Sequence, residues 1–505
     1  MTQLLIMGAY LLLLLGLGLV TNRMFRGTAR DYFLASHSIG PVLLLMSIFG
    51  TTMTAFALVG STGEAYKAGI GVYGMLASWS GFIHTAVFFF VGIKLWAIGR
   101  RYGYMTQIQY FRDRFESDNI GLALFPFLIG LTIPYLLTGL LGAQAVTMAL
   151  TRGAFPEAFA ATNGGVPPWL SGLVICGIVL TYVFFGGLRG AAWANTFQTA
   201  VFMVTGVFAF YLIADKLGGA SAATQAVLAA HPERLVRGDA VPPGLFFFYC
   251  LIPLSVGTFP HVFQHWLTAR SAESFKLTVV AHPLFILIVW LPCILIGVWA
   301  TSAVMPDGTL VVPADHAPNT ELAIMVGKLT TPFVGGVLGA GILAAIMSSL
   351  DSQFLCLGSI FANDVVAHYW GRDAIDDARR LLLGRVFVVA VVAVTYLFSL
   401  AEPRAVFPLA VWAFSGFTAL FPLVAAALYW RRTSTAGAYA CIAVAAAVWI
   451  ALFRESGYGA DGAYVWHGLM PVVPMFVAST LALVGVSLVT AAPSDATVKK
   501  FFPRG

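Results

Sequence analysis

One segment of this chain places small and hydroxyl-bearing residues inside a long apolar run, where such groups find no water. Ala345, Ser348 and Ser349 stand at positions i, i+3 and i+4, so they share one face of a helix. Two hydroxyls and a backbone carbonyl on one face suit a hard, singly charged cation, which prefers oxygen ligands. The alternative is a serine-rich packing face between helices. The spacing therefore indicates a candidate cation site.

A second apolar run contains the glycine- and threonine-rich stretches 50–54 and 60–63. Such a cluster in the middle of a membrane favours a local break of the helix, and the freed carbonyls can coordinate a cation. The alternative is a packing seam whose threonine hydroxyls bond back to their own helix.

A third apolar run carries Pro253, Gly257 and Pro260 within eight residues, which predicts a broken helix. Broken helices at corresponding positions in two halves of a transporter mark its binding site. The two runs would then open two five-helix repeats of opposite topology, 38–214 and 244–429.

The composition identifies the solvent of these helices. Of the 505 residues, 59% are hydrophobic and 10% are charged, so lipid must surround much of the chain. A span needs about 20 apolar residues, and about 13 segments qualify. The predicted spans are 4–21, 38–62, 70–98, 120–150, 168–186, 191–214, 244–266, 277–304, 333–366, 381–400, 405–429, 434–453 and 467–491.

The predicted domain organisation is a single transmembrane domain over 1–505. The span 4–21 precedes the first repeat, and two additional spans, 434–491, follow the second. The loops 215–243 and 305–332 are too short to fold alone. Segment 104–117 is either a short interfacial helix or a connector, and Asp364, near the inner end of its span, is expected to face water.

The distribution of basic residues predicts the orientation, because cytoplasmic loops are enriched in Lys and Arg. An outer N-terminus and an inner C-terminus place most of them inside, which indicates a multi-pass protein of the inner (plasma) membrane. The residues assigned to the inside are Arg23, Arg26, Arg30, Arg100, Arg101, Arg112, Arg114, Arg189, Arg270, Lys276, Arg372, Arg379, Arg380, Arg385, Arg431, Arg432, Lys499, Lys500 and Arg504. They lie in short loops, so the net charge of +6 indicates no nucleic-acid partner.

Several motifs, in this order and spacing, resemble the sodium:solute symporter family, which includes carriers of proline, sugars, pantothenate and monocarboxylates. The resemblance covers nearly the whole chain. It rests on GEAYKAG at 63–69, RYGYMT at 101–106, RDRFES at 112–117, GGLRG at 186–190 with Trp193 and Gln198, and SSLDS at 348–352 with Asp364.

This resemblance implies an all-α fold of the LeuT type and a transport function, not an enzymatic one. It also implies a Na⁺ site between the second and ninth spans. Its ligands would be the carbonyls of Gly50, Met53 and Ala345 and the hydroxyls of Ser348 and Ser349.

The chain departs from the family at Asn195, where many members have an acid associated with a second sodium position or the exit path. Asp351 lies one turn beyond Ser348 and could replace that acid, with Asn195 and Ser352 offering neutral oxygens. The alternative is that Asp351 is structural and that one cation suffices.

The solute should bind near the two breaks, with help from neighbouring spans. The candidates are Thr52, Thr54, Phe56, Gln144, Thr258, Phe259 and His261. His261 and His265 share one helix face and could contact the solute or carry a proton. The bland alternative makes His261 a satisfied polar group and His265 an interfacial anchor. His84 and His282 are candidates for hydrogen-bonded structure within the membrane.

The leading expectation is Na⁺-coupled import of a monocarboxylate, followed by proline-like and pantothenate-like solutes or a proton-coupled carrier. Two other classes compete. A haem-bearing subunit would need axial histidines on facing helices, whereas His261 and His265 share one helix. A membrane sensor would need a separate partner, because the tail after Leu488 is short. The sequence leaves the oligomeric state open.

Overall fold

The computed structural model describes residues 1–22, 39–370, 376–401 and 405–502. Within these residues nine helices are long and apolar enough to cross a membrane, and two bent helix pairs raise the number to 11. The shorter apolar helices Thr2–Gly18 and Pro168–Phe184 coincide with the predicted first and fifth spans. Each predicted span therefore has a helix at its place, and the all-α prediction is confirmed.

The spans are numbered in chain order. Their bounds are Thr2–Asn22 (span 1), Pro41–Thr52 with Phe56–Ala68 (span 2), Gly71–Tyr102 (3), Ile120–Leu150 (4), Pro168–Phe184 (5), Gly190–Lys216 (6), Pro243–Gly257 with Pro260–Thr268 (7), Ser274–Trp299 (8), Pro332–Tyr369 (9), Asp377–Ser399 (10), Val406–Tyr429 (11), Thr435–Glu455 (12) and Val472–Val489 (13).

Shorter helices lie between and after the spans. They are Gln107–Arg114, Ala220–Ala230, Glu321–Leu329 and Asp495–Phe501, with 3-10 turns at Ala160–Thr162 and Pro232–Leu235. The described part of the chain has no strand, only isolated β-bridges such as Ile39 with Ala269.

Span 2 is broken at 53–55, as the glycine- and threonine-rich sequence predicts, and its halves meet at 61°. Met53 is extended, with φ −87° and ψ 102°, and so ends the first half. The hydroxyl of Thr54 accepts a hydrogen bond from the amide of Phe56 at 3.0 Å, which supports the start of the second half.

Span 7 is broken where the prolines predict, and its halves meet at 52°. The first half ends at Gly257, and Phe259 is extended before Pro260 starts the second. Proline has no N–H to donate into a preceding turn, so it is well placed at the first position of a helix.

Spans 5 and 6 form one long helical segment that is interrupted at a single residue. Gly187 has φ 58° and ψ −165°, a conformation that costs little only for glycine. The turn there lets span 6 cross the bundle and reach span 2.

Spans 9 and 11 form the centre of the bundle. In each, about four fifths of the most apolar window is buried inside the protein (83% and 78%), against 44% or less for the other continuous spans described. The central position of span 9 explains why its serine face meets protein and not lipid.

The expectation that Asp364 faces water is wrong. Its side chain is 1% exposed and accepts hydrogen bonds from Arg112 at 2.9 Å and Thr106 at 2.6 Å. These bonds attach the helix Gln107–Arg114, which occupies the predicted segment 104–117, to the C-terminal end of span 9.

Candidate cation and solute sites

The first half of span 2 ends against the serine face of span 9. The backbone oxygen of Gly50 accepts a hydrogen bond from the Ser348 hydroxyl at 2.7 Å. Gly50 belongs to the last turn before the break, where carbonyls lack a partner in the helix. The same hydroxyl lies 2.8 Å from the Ala345 oxygen, so three of the predicted sodium ligands meet at one point.

The other two predicted ligands lie next to this point. The Ser349 hydroxyl donates to the Ile346 oxygen at 2.9 Å, and Met53 is the buried residue at which span 2 leaves the helix. The Ser348 hydroxyl and the Gly50 and Ala345 carbonyls therefore meet at one buried place, and Ser349 and Met53 are close to them along the chain.

Span 6 closes this place from a third side. A Cβ atom on Gly50 would lie 2.4 Å from the Thr199 hydroxyl and 3.2 Å from the Asn195 backbone oxygen. Only glycine fits at position 50, because these two helices are nearly in backbone contact there. The close approach also brings Asn195 beside span 9.

Asn195, Asp351 and Ser352 form one hydrogen-bonded group. With its N–H groups facing oxygen acceptors, the Asn195 amide donates to Asp351 Oδ1 and Oδ2 at 3.0 and 3.1 Å and to the Ser348 oxygen at 2.9 Å. Asn195 Oδ1 accepts from the Ser352 hydroxyl at 2.8 Å. The Ser348 oxygen is one residue from Ser349, so this group adjoins the predicted sodium site.

Asp351 is completely buried, and its hydrogen-bond partners are neutral. Among the described residues these partners are Asn195 and Ser352. A buried carboxylate without a positive neighbour is costly, so a cation or a proton must accompany it. The group is therefore chemically suited to hold positive charge.

His265 connects this group to span 2. Its Nδ1 lies 2.9 Å from the Ser47 hydroxyl and its Nε2 lies 3.1 Å from the Ser352 hydroxyl. The ring is 1% exposed, so the expectation that it anchors at the interface is wrong. His265 instead links spans 2, 7 and 9 beside the cation site.

The solute candidates Phe56 and Phe259 lie in a cluster of rings from spans 2, 4, 7 and 11. The Tyr135 ring is 5.3 Å from Phe259 and 4.9 Å from Phe414 between centroids. Phe56 is 5.2 Å from Phe414, and Phe417 is 5.0 Å from Phe259. Both helix breaks therefore lie beside the same cluster of buried rings, which we call the aromatic surface.

His261 belongs to the same cluster. Its ring stacks on Phe259 at 5.2 Å, with an angle of 20° between the planes, and it is 1% exposed. Its Nε2 has no hydrogen-bond partner among the described residues, so the reading of His261 as fully satisfied is wrong. It is the second residue of the C-terminal half of span 7, Pro260–Thr268, and the first backbone N–H groups of a helix have no partner within that helix.

The remaining solute candidates have hydrogen bonds within the protein. Thr52 donates to Ile48 and Phe49 oxygens, and Thr258 donates to Ser255 and Phe417 oxygens. Their hydroxyls shape the breaks by satisfying backbone carbonyls.

Gln144 lies apart from the cluster. It donates to the Ser399 hydroxyl of span 10 at 3.0 Å and touches Gly172 of span 5. It is nine residues beyond Tyr135 on span 4, or about 13 Å along the helix axis. The structure therefore does not bring it to the aromatic surface.

His84 and His282 pair within the membrane, as expected of hydrogen-bonded structure. Nδ1 of His84 is 3.1 Å from Nε2 of His282, and the rings of Phe49 and Phe88 pack against His282 at 5.3 and 4.8 Å. This pair joins span 3 to span 8 and lies outside the aromatic cluster.

A family model described as the sodium:solute symporter family matches residues 32–444. The chain belongs to this family. It is thus a membrane-embedded carrier of a solute, with Na⁺ as coupling ion, and the prediction made from its motifs is confirmed. No group of three or more His, Cys, Asp or Glu residues in the described ranges could hold a metal ion.

Similar curated proteins include a sodium/pantothenate symporter of Escherichia coli (strain K12), 27% identical over 97% of both chains. A high-affinity proline transporter of Bacillus subtilis (strain 168) is 24% identical over 93% of this chain and 95% of its own. A sodium/proline symporter of Staphylococcus aureus (strain NCTC 8325) is 27% identical over 96% and 92%. These relatives are described as pantothenate or proline carriers, not as monocarboxylate carriers.

Similar solved structures confirm the fold. A Na⁺-coupled sialic acid symporter in a substrate-bound, outward-open state covers 98% of this chain and 99% of its own, with a TM-score of 0.77 and 16% identity. A nucleobase-cation-symport-1 family transporter, in a closed conformation with bromovinylhydantoin bound, covers 93% and 97%, with a TM-score of 0.54 and 14% identity.

Sequence reasoning missed Tyr135, Phe414 and Phe417 at the aromatic surface. The chain has 40 Phe and 17 Tyr residues, so one ring in a span carries no distinguishing signal. It also missed the contact of His265 with Ser47, because the two residues are 218 positions apart.

Proposed function

We propose that the chain imports a small organic solute bearing a carboxylate, driven by Na⁺ bound between spans 2 and 9. The sodium ligands in this proposal are the carbonyls of Gly50, Met53 and Ala345 and the hydroxyls of Ser348 and Ser349. Support comes from the Ser348 hydroxyl, which lies 2.7 Å from the Gly50 oxygen and 2.8 Å from the Ala345 oxygen. Na⁺ needs several oxygens and no charged ligand, which this set supplies.

A second cation position is proposed at Asn195, Asp351 and Ser352. Asp351 takes over the charge of the acid that many family members have at position 195. Its burial supports this role, since no positively charged partner is found among the described residues and a bound cation would compensate the carboxylate. The shared contact with the Ser348 backbone oxygen would make the two positions sensitive to each other.

The solute is proposed to bind at the aromatic surface with its carboxylate at the inner half of span 7. The single observation that carries this step is the buried Nε2 of His261, which lacks a partner at a helix N-terminus. An unsatisfied buried polar atom is costly, and helix N-termini favour negative groups. Phe259 and Tyr135 would cover the apolar part of the solute.

The class of solute follows from what the candidate solutes share. The sequence favours a monocarboxylate, while the relatives are described as carriers of pantothenate and proline. All three solutes contain one carboxylate. The proposal therefore names the carboxylate as the recognised group and places the monocarboxylate first among the three.

The test is uptake of labelled lactate, proline and pantothenate into proteoliposomes, with matched controls that lack the carboxylate: lactamide, prolinamide and pantothenol. One acid should accumulate under an inward Na⁺ gradient, and its analogue without the carboxylate should not compete. Uptake that follows a proton gradient without Na⁺ would overturn the assignment of the coupling ion. Absence of flux for all three acids would overturn the solute class.

The N-terminus is proposed to lie outside and the C-terminus in the cytoplasm. The basic side chains of Arg114 and Lys500 gather at the end of the bundle that holds the helix Asp495–Phe501, where Arg114 donates to the Ala427 and Trp430 oxygens. Arg23, Arg26, Arg30, Arg372 and Arg504, which also support the orientation, lie outside the described residues. A reporter enzyme that works only in the cytoplasm should be active when it is fused after residue 505.

A further inference from the structure

The loop between spans 8 and 9 rests on the outer half of span 2. The His316 ring packs edge-on against the Tyr66 ring at 5.1 Å. The Glu321 carboxylate oxygens lie 3.2 Å from the place that a Cβ atom on Gly63 would occupy. The loop also reaches span 11, because Asn319 accepts a hydrogen bond from the Val406 amide at 2.9 Å.

Glu321 is a buried acid with one partner of possible positive charge. Its side chain is 1% exposed, and Oε1 lies 3.0 Å from His316 Nε2. Its Oε2 has no hydrogen-bond partner among the described residues. The free energy of burying this carboxylate where it packs on span 2 therefore depends on the charge of His316.

The geometry around His316 favours its protonated form. Nδ1 lies 2.8 Å from the Pro313 carbonyl oxygen, and Nε2 faces the Glu321 carboxylate. Both neighbours accept hydrogen bonds and neither can donate one while Glu321 is ionised. Imidazolium has two N–H groups and satisfies both, whereas neutral imidazole has one and loses a bond.

The other charged groups around His316 modify this preference without reversing it. The hydrogen bond to Glu321, followed by that to Pro313, raises the pKa of His316 above its ordinary value, against the opposing effects of burial and of Lys67. Asp315 and Arg152 line a cavity of about 310 Å³ with His316, and Tyr66 is the remaining titratable neighbour on span 2.

We propose that His316 and Glu321 form a proton-operated latch that holds the span 8–9 loop on the outer halves of spans 2 and 11. Protonation completes an ion pair over Gly63 and secures the loop. Deprotonation leaves Glu321 buried without a positive partner and loosens it. Since span 2 carries Phe56 and span 11 carries Phe414, the latch controls the outer approach to the aromatic surface, in the orientation proposed above.

The sign of the effect follows from linkage. A group whose pKa is raised on folding stabilises the folded arrangement fully below its unfolded pKa, near 6.5, and that contribution is lost as the pH rises through the folded value. The loop should therefore be held most firmly in acid and released on the alkaline side of the raised pKa.

The test is hydrogen exchange of backbone amides in 312–329, comparing the full chain with His316→Gln at equal pH, in nanodiscs without Na⁺ or solute. Comparison at equal pH cancels intrinsic exchange chemistry. At pH 5.5 the variant should exchange about tenfold faster, as expected for the loss of one charge-assisted bond. At pH 9 the two proteins should coincide.

His231→Gln is the matched control. His231 lies 3.3 Å from Glu233 in another loop, but both side chains are largely exposed, so its removal should change nothing at either pH. A second variant, Glu321→Gln, leaves no buried carboxylate for His316 to pair with, so its protection of 312–329, corrected for intrinsic exchange, should not fall between pH 5.5 and pH 9.

Equal exchange of the full chain and His316→Gln at pH 5.5, or a difference that persists unchanged at pH 9, would overturn the latch. Because no transport is measured, that outcome would leave the proposed function standing. Conversely, failure of every solute in the uptake panel would not affect the exchange result.

Discussion

The two broken spans present opposite kinds of helix end to the centre of the protein. At span 2 the functional end is a C-terminus, where the Gly50 carbonyl meets the Ser348 hydroxyl of span 9. At span 7 it is an N-terminus, where His261 adds a nitrogen that has no partner in the part of the chain that the structure describes, and Phe259 adds an aromatic face. Carbonyl ends attract cations and N–H ends attract anions.

The difference shows how neighbouring side chains assign a role to each break. Span 9 supplies hydroxyls beside the carbonyl end, so the surroundings of Gly50 and Ala345 are rich in oxygen. Spans 4 and 11 supply rings beside the N–H end, which suits an organic frame with one negative group. His265, one turn beyond His261, joins span 7 to the cation side through Ser352.

The largest effect is expected at the carbonyl end. Replacing Ser348 and Ser349 together by Ala removes two of about five oxygens, and each bond to a charged group contributes about 1.5–3 kcal/mol. The Na⁺ concentration that gives half-maximal thermal stabilisation in nanodiscs should therefore rise at least about a hundredfold.

The matched control is Ser359→Ala, in the same span but one to two turns beyond Ser352 and bonded to Asn363. It should leave the Na⁺ midpoint unchanged. A double variant with the wild-type Na⁺ midpoint would show that these hydroxyls do not bind the cation.

A smaller effect is expected at the N–H end. His261→Phe keeps the stacking on Phe259 but removes Nε2, and the loss of one hydrogen bond to a charged group should raise the half-saturating solute concentration about tenfold. The Na⁺ midpoint should stay the same, because the carbonyl end is intact. His84→Phe, a buried histidine outside the aromatic cluster, serves as the control.

Unchanged solute affinity in His261→Phe would show that the carboxylate of the solute does not bind at span 7. A matching change in both solute and Na⁺ affinities would instead show that the two breaks act as one unit, and the contrast between them would lose its meaning.

The finest distinction concerns the number of cations. Asp351→Asn preserves shape but removes the charge, so a second cation should no longer bind. The Na⁺ Hill coefficient and the charge moved per solute, measured as transport current on solid-supported membranes, should both fall. Asn195→Asp, which restores an acid at the family's position, should be tolerated. An unaltered Hill coefficient and current in Asp351→Asn would mean that one cation suffices.

The sequence by itself determined the elements and the places where they break. Hydropathy located span 4 at 120–150, which the structure has as Ile120–Leu150, because lipid forces every spanning segment to satisfy its own backbone. Pro260 predicted the break in span 7 since proline cannot donate an N–H. Ala345, Ser348 and Ser349 predicted a shared face from helical spacing alone.

Only the tertiary structure decided what each face meets. Gly50 and Ser348 are 298 positions apart, and Arg112 and Asp364 are 252 apart. Such contacts depend on the rotation and crossing of packed helices, which local patterns do not encode. For this reason Asp364 was placed in water by the sequence but lies buried against Arg112 in the structure.

The His316–Glu321 pair shows the same for two residues that are close in sequence. His316 and Glu321 are five residues apart, yet nothing in their spacing indicates a buried pair. They become a buried pair because span 2 covers Glu321 and because the Pro313 carbonyl oxygen lies against the second ring nitrogen of His316. Burial and the sum of hydrogen-bond acceptors around a side chain are properties of the folded chain, and they decide which polar residues carry charge.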